Sequence, residues 1–351
     1  MKDNKKEAVS KESLNTENTN EVHKRSVYDV MEEEITSSDL PDKEKTRRLS
    51  NLLRLRNQKV NILVTGATGV GKSSTINALF NMEVAKVGVG VDPETTYIQK
   101  YELDNLTIWD TPGLGDNVNT DKKIKRQMIK KLNEAAEDGE ALIDLALVLV
   151  DASSKDLGTS FAVINDILIP CFGKDAEKRI IVALNQADVA MKGKHWDQEK
   201  NEPDKVLQDY LEKKTASVKE RLTEATGLKL TPIYFCAGYM EEENEDTARR
   251  PYNLSKLLFH IVQAIPKEKR LALVDNLSSD EENFTHDDHK KDYKKKTTEA
   301  FWECVGDCIC EGAETGLELG ESILGIPGMV IGGILGGVFG AIKGVCKGII
   351  E

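Results

Sequence analysis

The plainest chemistry in this chain lies in eight consecutive residues, Gly66-Ala67-Thr68-Gly69-Val70-Gly71-Lys72-Ser73. Glycines at 66, 69 and 71 let the backbone turn tightly and bring successive N–H groups close to anionic oxygens. The helical pattern that opens at Ser73 points its positive end at the same spot. Lys72 is then placed to reach the β- and γ-phosphates of a nucleotide, and Ser73, followed by Ser74, offers a hydroxyl to Mg²⁺. The apolar run Val60 to Val64 supplies the strand that such a loop must follow.

A second group, Asp110-Thr111-Pro112-Gly113, follows the apolar stretch Leu106 to Trp109. Its carboxylate suits Mg²⁺ held through water, and the Gly113 N–H suits a γ-phosphate, so the segment would respond to whether that phosphate is present. Between the two groups lies the polar stretch Val91 to Tyr97, where Thr96 is preferred over Thr95 to complete the Mg²⁺ shell. Base choice falls to Asn185-Gln186-Ala187-Asp188. A carboxylate at Asp188 accepts two hydrogen bonds from the ring N–H and amino group of guanine, a donor pair adenine lacks. Cys236-Ala237-Gly238 is the expected source of a backbone N–H for the guanine carbonyl. The candidate catalytic set is Lys72, Thr96 and Gly113, and the candidate metal set is Ser73, Thr96 and Asp110. The nucleotide contacts are 66 to 74, Asn185, Gln186, Asp188, Cys236 and Ala237.

The order and spacing of these motifs resemble the GTPase domain of the translation-factor-related class of P-loop proteins, particularly the Era-like bacterial GTPases of the YfjP-type group. The likeness rests on 66–74, on Asp110-Thr111-Pro112-Gly113-Leu114-Gly115-Asp116 and on Leu184 to Lys192, and it covers roughly 58–270. The first loop is also similar to septin and immunity-related GTPases. The resemblance implies GTP and GDP as ligands, Mg²⁺ as cofactor and hydrolysis to GDP and phosphate in a molecular switch. Three departures stand out. Leu114 occupies the place of the glutamine that orients water in Ras-like switches, which implies slow unaided turnover. Gly69 replaces the asparagine of potassium-stimulated relatives, and Gln186 replaces the lysine that usually covers the base.

The elements that position these residues alternate between strand and helix from Lys59 to about Lys267, as βαβ units do, so an α/β fold with a mainly parallel sheet covered on both faces is expected. Strands are expected at Val60–Thr65, Tyr97–Leu103, Leu106–Trp109, Leu142–Val150, Arg179–Leu184 and Thr231–Phe235. Helices are expected at Ser73–Phe80, Lys122–Ala136, Thr159–Pro170, Asp204–Thr226 and Asn253–Ile265. Residues 1–24 are too polar to offset chain entropy and read as disordered. A helical extension covers 25–57, the nucleotide-binding domain 58–267, a solvated charged linker 268–300 and a glycine-rich apolar helical tail 301–351.

A net charge of −12 over 351 residues argues against a sequence-specific nucleic-acid binder relying on bulk positive charge. Six cysteines without zinc spacing, and no apolar leader after Met1, read as free thiols in the cytoplasm. In the tail, Gly328, Gly332, Gly336, Gly340, Gly344 and Gly348 form one ridge at helical spacing. Ile323 to Ile342 carries no charge, so 323–350 is a candidate contact with a second copy of the chain or with a membrane. Three rival readings stand beside the switch. In one, the domain gates a membrane-docking or membrane-remodelling assembly, and in another it is a scaffold holding GTP without hydrolysis. The third is an ATPase using Asp151, which leaves Asn185 and Asp188 unexplained. A homodimer or an activating protein is the expected partner.

Overall fold

The strand β1 (Val60–Gly66) is buried at every position, as a strand covered on both faces must be. The computed structural model describes residues 26–82, 97–115, 117–155, 157–241 and 244–309, without the side chains of 239–248. Two helices, α1 (Val27–Ser37) and α2 (Asp42–Arg56), precede β1, and α3 (Lys72–Leu79) follows it. Next come β2 (Gln99–Glu102), β3 (Leu106–Asp110), α4 (Val118–Leu132) and β4 (Leu145–Asp151). A broken helix then runs through α5 (Gly158–Val163), a π-helical turn at Ile164–Leu168 and α6 (Ile169–Phe172). Pro170 has no N–H to donate, so the ladder cannot stay regular there. After α7 (Ala176–Arg179) come β5 (Ile180–Asn185), a small ribbon of β6 (Trp196–Asp197) and β7 (Glu202–Pro203), then α8 (Lys205–Thr226) and β8 (Ile233–Tyr234). A hairpin of β9 (Tyr239–Glu241) and β10 (Asn244–Arg249) leads into α9 (Leu254–Ala264), and α10 (Tyr293–Ile309) comes last.

Six strands form one sheet in the order β2-β3-β1-β4-β5-β8. All pairings are parallel except β2 with β3, so the sheet is the α/β arrangement expected, with one antiparallel edge. The period-2 alternation of strand side chains divides the core into two layers. Ile62, Val64, Leu145, Leu147, Leu149, Ile181 and Ala183 face one layer with α1, α2, α3, α9 and α10. Leu63, Ala146, Val148, Val150, Val182 and Leu184 face the other with α4, the broken helix and α8. The observed strands lie within a few residues of the expected ones, but β8 shrinks to two residues and α4 starts four residues early. Asn117 explains the early start, since its side chain accepts from the Asn119 and Thr120 N–H groups and caps the helix there.

The stretch 268–300 is not a solvated linker. Its charges misled because the apolar residues sit among them: Leu271, Leu273, Val274, Leu277 and Phe284 are all fully buried. A 3₁₀ helix over Lys267–Asn276 inserts beneath the sheet, and α10 begins at Tyr293, inside the expected linker. Lys269 ion-pairs with the buried Asp144 at 2.7 Å, and Asp144 also accepts from the Asn61 N–H at 2.8 Å, which ties the segment to the foot of β1 and β4. Asp275 receives Ser26 Oγ at 2.6 Å and the Val27 N–H at 2.8 Å, fastening α1 to the same segment. The expected tail splits: 301–309 belong to α10, with Phe301 and Cys304 buried, while 310–351 lie outside the described residues.

Candidate functional site

β1 delivers the glycine-rich loop to the carboxyl edge of the sheet, beside the ends of β3, β4 and β5, where open parallel sheets bind their ligands. Gly71 is the N-cap of α3 with φ +86°, and a Cβ there would fall on the Asn185 side-chain nitrogen, so conformation and space both demand glycine. The Lys72 ammonium donates to the Ala67 and Gly66 carbonyls at 3.1 and 3.4 Å, which curls the side chain over the loop it belongs to. Ser73 and Ser74 open α3, where backbone N–H groups have no helical acceptor and suit an anion.

Asp110 ends β3, level with Val64 of β1 in the ladder. Its side chain is buried, and desolvation pushes its pKa up to about 6, against the pull of Lys72. Among the described residues, Asp110 Oδ1, Thr111 Oγ1 and Thr65 Oγ1 are buried oxygens without a hydrogen-bond partner. Orphaned oxygens at the end of a strand, one on an acid, are the donor type that Mg²⁺ and its water shell satisfy, so these residues fit the ion. Gly113 packs directly on the phosphate loop: a Cβ there would fall on Thr68 Oγ1 and lie 2.6 Å from Thr68 Cα. Leu114 bonds from its N–H to the Gly66 carbonyl at 3.3 Å, and its side chain, 1% exposed, is sunk in the core layer of α4. Leu114 therefore anchors this segment rather than lining the phosphate site. Thr96 lies outside the described residues.

The third motif does more bracing than expected. Asn185 donates from Nδ2 to the Val70 carbonyl at 2.8 Å and accepts from the Ala237 N–H at 3.0 Å, so one buried amide ties the phosphate loop to the segment after β8. Gln186, expected beside the base, instead donates to the Gly69 carbonyl at 3.0 Å. Its φ of 63° turns the chain so that the side chain reaches the loop. The Cys236 N–H is committed to the Tyr252 carbonyl at 3.0 Å, so Cys236 is corrected as a donor to guanine. Ala237 remains in place, with its N–H shared with Asn185.

Asp188 sits beyond β5 with its side chain only 10% exposed and its carboxylate facing Arg249 at 2.5 Å. Arg249 escaped the sequence reading because nothing near it in the chain marks it. It arrives across 61 residues on the β9–β10 hairpin. The phosphate loop, Asp110, Gly113, Asn185, Gln186, Asp188 and Ala237 thus all line one edge.

Residues 61–186 match the model of a family described as 50S ribosome-binding GTPase. The matched stretch, a little over a third of the chain, holds the phosphate loop, Asp110, Gly113, Asn185 and Gln186. The chain is similar to the probable GTP-binding protein EngB of Methanococcus aeolicus, 29% identical over 98 residues that make up 28% of this chain and 42% of that protein. It is similar to Septin-12 of Homo sapiens, 39% identical over 74 residues, 17% of this chain and 20% of that protein. The matched part thus spans less than half the length of these curated relatives. A crystal structure of a probable GTP-binding protein engB aligns at 21% identity and TM-score 0.36, covering 58% of this chain and 98% of that one. Toc33 from Arabidopsis thaliana in complex with GDP and Mg²⁺ aligns at 17% identity and TM-score 0.40, covering 69% and 94%. The matched region shares one core layer with the α1–α2 extension and the 267–309 segment.

Proposed function

We propose that the chain binds GTP through this edge and hydrolyses it to GDP and phosphate as a Mg²⁺-dependent switch. The observation that carries the reading is the bridge made by Asn185, which holds the phosphate loop and the base side of the site in one rigid unit. Lys72, the N–H groups of 66–74 and the Gly113 N–H neutralise and align the phosphates, which is most of what phosphoryl transfer asks of a protein. Ser73, Thr96 and Asp110 are the residues that would hold Mg²⁺, the ion adding positive charge beside the β- and γ-phosphates. Asp188 selects guanine, and Ala237 supplies the N–H for its carbonyl oxygen. With Leu114 turned into the core, it does not orient the attacking water, so unaided turnover is slow and a second copy or an activating protein supplies what is missing. Within its class the site sequence favours the Era-like group.

Asp188→Asn tests the reading, because it exchanges an acceptor for a donor. The variant should lose GTP affinity by about a hundredfold or more and gain affinity for xanthosine triphosphate, measured by equilibrium titration. Unaltered preference for GTP would sink the base assignment. Among the described residues no helix is long and apolar enough to cross a membrane, and the residues behind the membrane-docking alternative, 323–350, lie outside them.

A further inference from the structure

Asp188 already has a partner of the kind it is built to read. Arg249 Nη1 donates to Asp188 Oδ2, an ion pair in which the carboxylate side chain is 10% and the arginine side chain 32% exposed. Backbone geometry puts Arg249 there. Cys236 and Tyr252 exchange two N–H to carbonyl hydrogen bonds of 3.0 Å each, so the chain leaves and re-enters the sheet edge at one point. Between them β9 and β10 run antiparallel, with Arg249 opposite Tyr239. The foot of the hairpin is tight: a Cβ on Gly238 would lie 2.6 Å from the Arg249 carbonyl oxygen. It is also braced from outside. Asn201 Nδ2 donates to the Pro251 carbonyl at 2.9 Å, Arg250 donates to the Glu199 carbonyl at 3.2 Å, and Trp196 meets Tyr252 edge-on at 5.3 Å.

The chemistry of the contact is that of the expected ligand. Guanine offers a carboxylate two N–H donors, N1–H and the 2-amino group, joined through one carbon. A guanidinium offers the same pair of donors through one carbon, with a full positive charge added. With the Asp188 side chain only 10% exposed, a purine and the Arg249 guanidinium compete for the same carboxylate.

We propose that Arg249 is an internal surrogate for guanine, an affinity-setting residue whose guanidinium must leave Asp188 before the base enters. The inference rests on Asp188 being the base reader. While Arg249 holds the carboxylate the site cannot read a base, so the apparent affinity for every nucleotide that uses Asp188 is lowered by one common factor. The pair is partly screened by solvent, which limits that factor.

The test is equilibrium titration of the full chain with fluorescent GDP, and competition by unlabelled GDP, inosine diphosphate and xanthosine diphosphate, for wild type, Arg249→Ala, Arg249→Lys, Asp188→Asn and the Asp188→Asn/Arg249→Ala double variant. Arg249→Ala should tighten GDP and inosine diphosphate by the same factor, about three- to tenfold. Arg249→Lys, which keeps the charge and loses the fork, should fall between it and wild type. In the Asp188→Asn background the arginine has no carboxylate to hold, so Arg249→Ala should change xanthosine diphosphate affinity by less than about twofold. Weaker or unaltered GDP binding by Arg249→Ala, or unequal factors for the two purines, overturns the surrogate role while a switch to xanthine in Asp188→Asn leaves the base assignment standing. No switch to xanthine in Asp188→Asn overturns the base assignment itself.

Discussion

Gly113 shows how closely single atoms are matched in this site. A methyl group added there meets not only the flexible hydroxyl of Thr68 but also its Cα, at 2.6 Å, and its Cβ, at 2.8 Å. Backbone cannot rotate aside as a hydroxyl can, so Gly113→Ala should push the phosphate loop and the 110–114 segment apart at a cost of about 1–3 kcal/mol. GDP affinity should drop accordingly in calorimetry, and Thr68→Ala added to it should not restore binding, because the obstructing Cα remains. Recovery in the double variant would mean that the hydroxyl alone was in the way. The same scale explains the assignments that moved. Asn185 and Gln186 each spend the side-chain amide on a loop carbonyl: Asn185 on Val70, because a buried amide must find partners wherever the nearest ones lie, and the part-exposed Gln186 on Gly69, because its φ of 63° turns it that way.

At the scale of elements, the 3₁₀ helix over Lys267–Asn276 and α10 decide where the folded unit ends. Leu271, Leu273 and Val274 are fully buried in the layer that also holds α1, α2 and α9, and Arg270 reaches across to Glu303 at 3.1 Å. A chain cut after Lys267 would strip that layer of its cover and leave Asp144 without its lysine, and an unpaired buried charge costs about 3–5 kcal/mol. Such a truncation should be insoluble or melt without a cooperative transition, whereas one ending after Ile309 should fold and bind GDP. Equal melting curves for the two would show that the 267–309 segment is an appendage. Charge was a poor guide here because the helix buries 270–274 together and its basic residues find acidic partners, Lys269 on Asp144 and Arg270 on Glu303.

For the whole molecule, one contribution to the pH response of stability should come from a buried group away from the phosphate loop. His260 on α9 is held down to about 4, mainly by desolvation and then by the nearby Lys256 and Lys291. An unfolded histidine protonates near its ordinary value, so between about 6.5 and 4 the unfolded chain binds a proton that the folded one refuses. This contribution to stability is complete above pH 6.5 and is lost as the pH falls through that window, by up to about 3 kcal/mol. His260→Phe should flatten the fall in melting temperature between pH 6.5 and 4 relative to wild type. An unaltered slope would place the titration elsewhere.

By itself the sequence determined the order of the strands along the chain, the phosphate loop with Lys72, the Asp110 to Gly113 turn and the acid at Asp188, because each is set by local pattern: period-2 burial, glycines at turns, and short motifs at strand ends. The tertiary structure alone decided three things. It placed the antiparallel β2 at the edge, turned the charged 268–300 stretch into core, and brought Arg249 onto Asp188 across 61 residues. The last two depend on pairings between segments distant in the chain, and β2 sits at the edge because β3 pairs with β1 on its other side; side-chain periodicity carries no record of which partner a segment will meet.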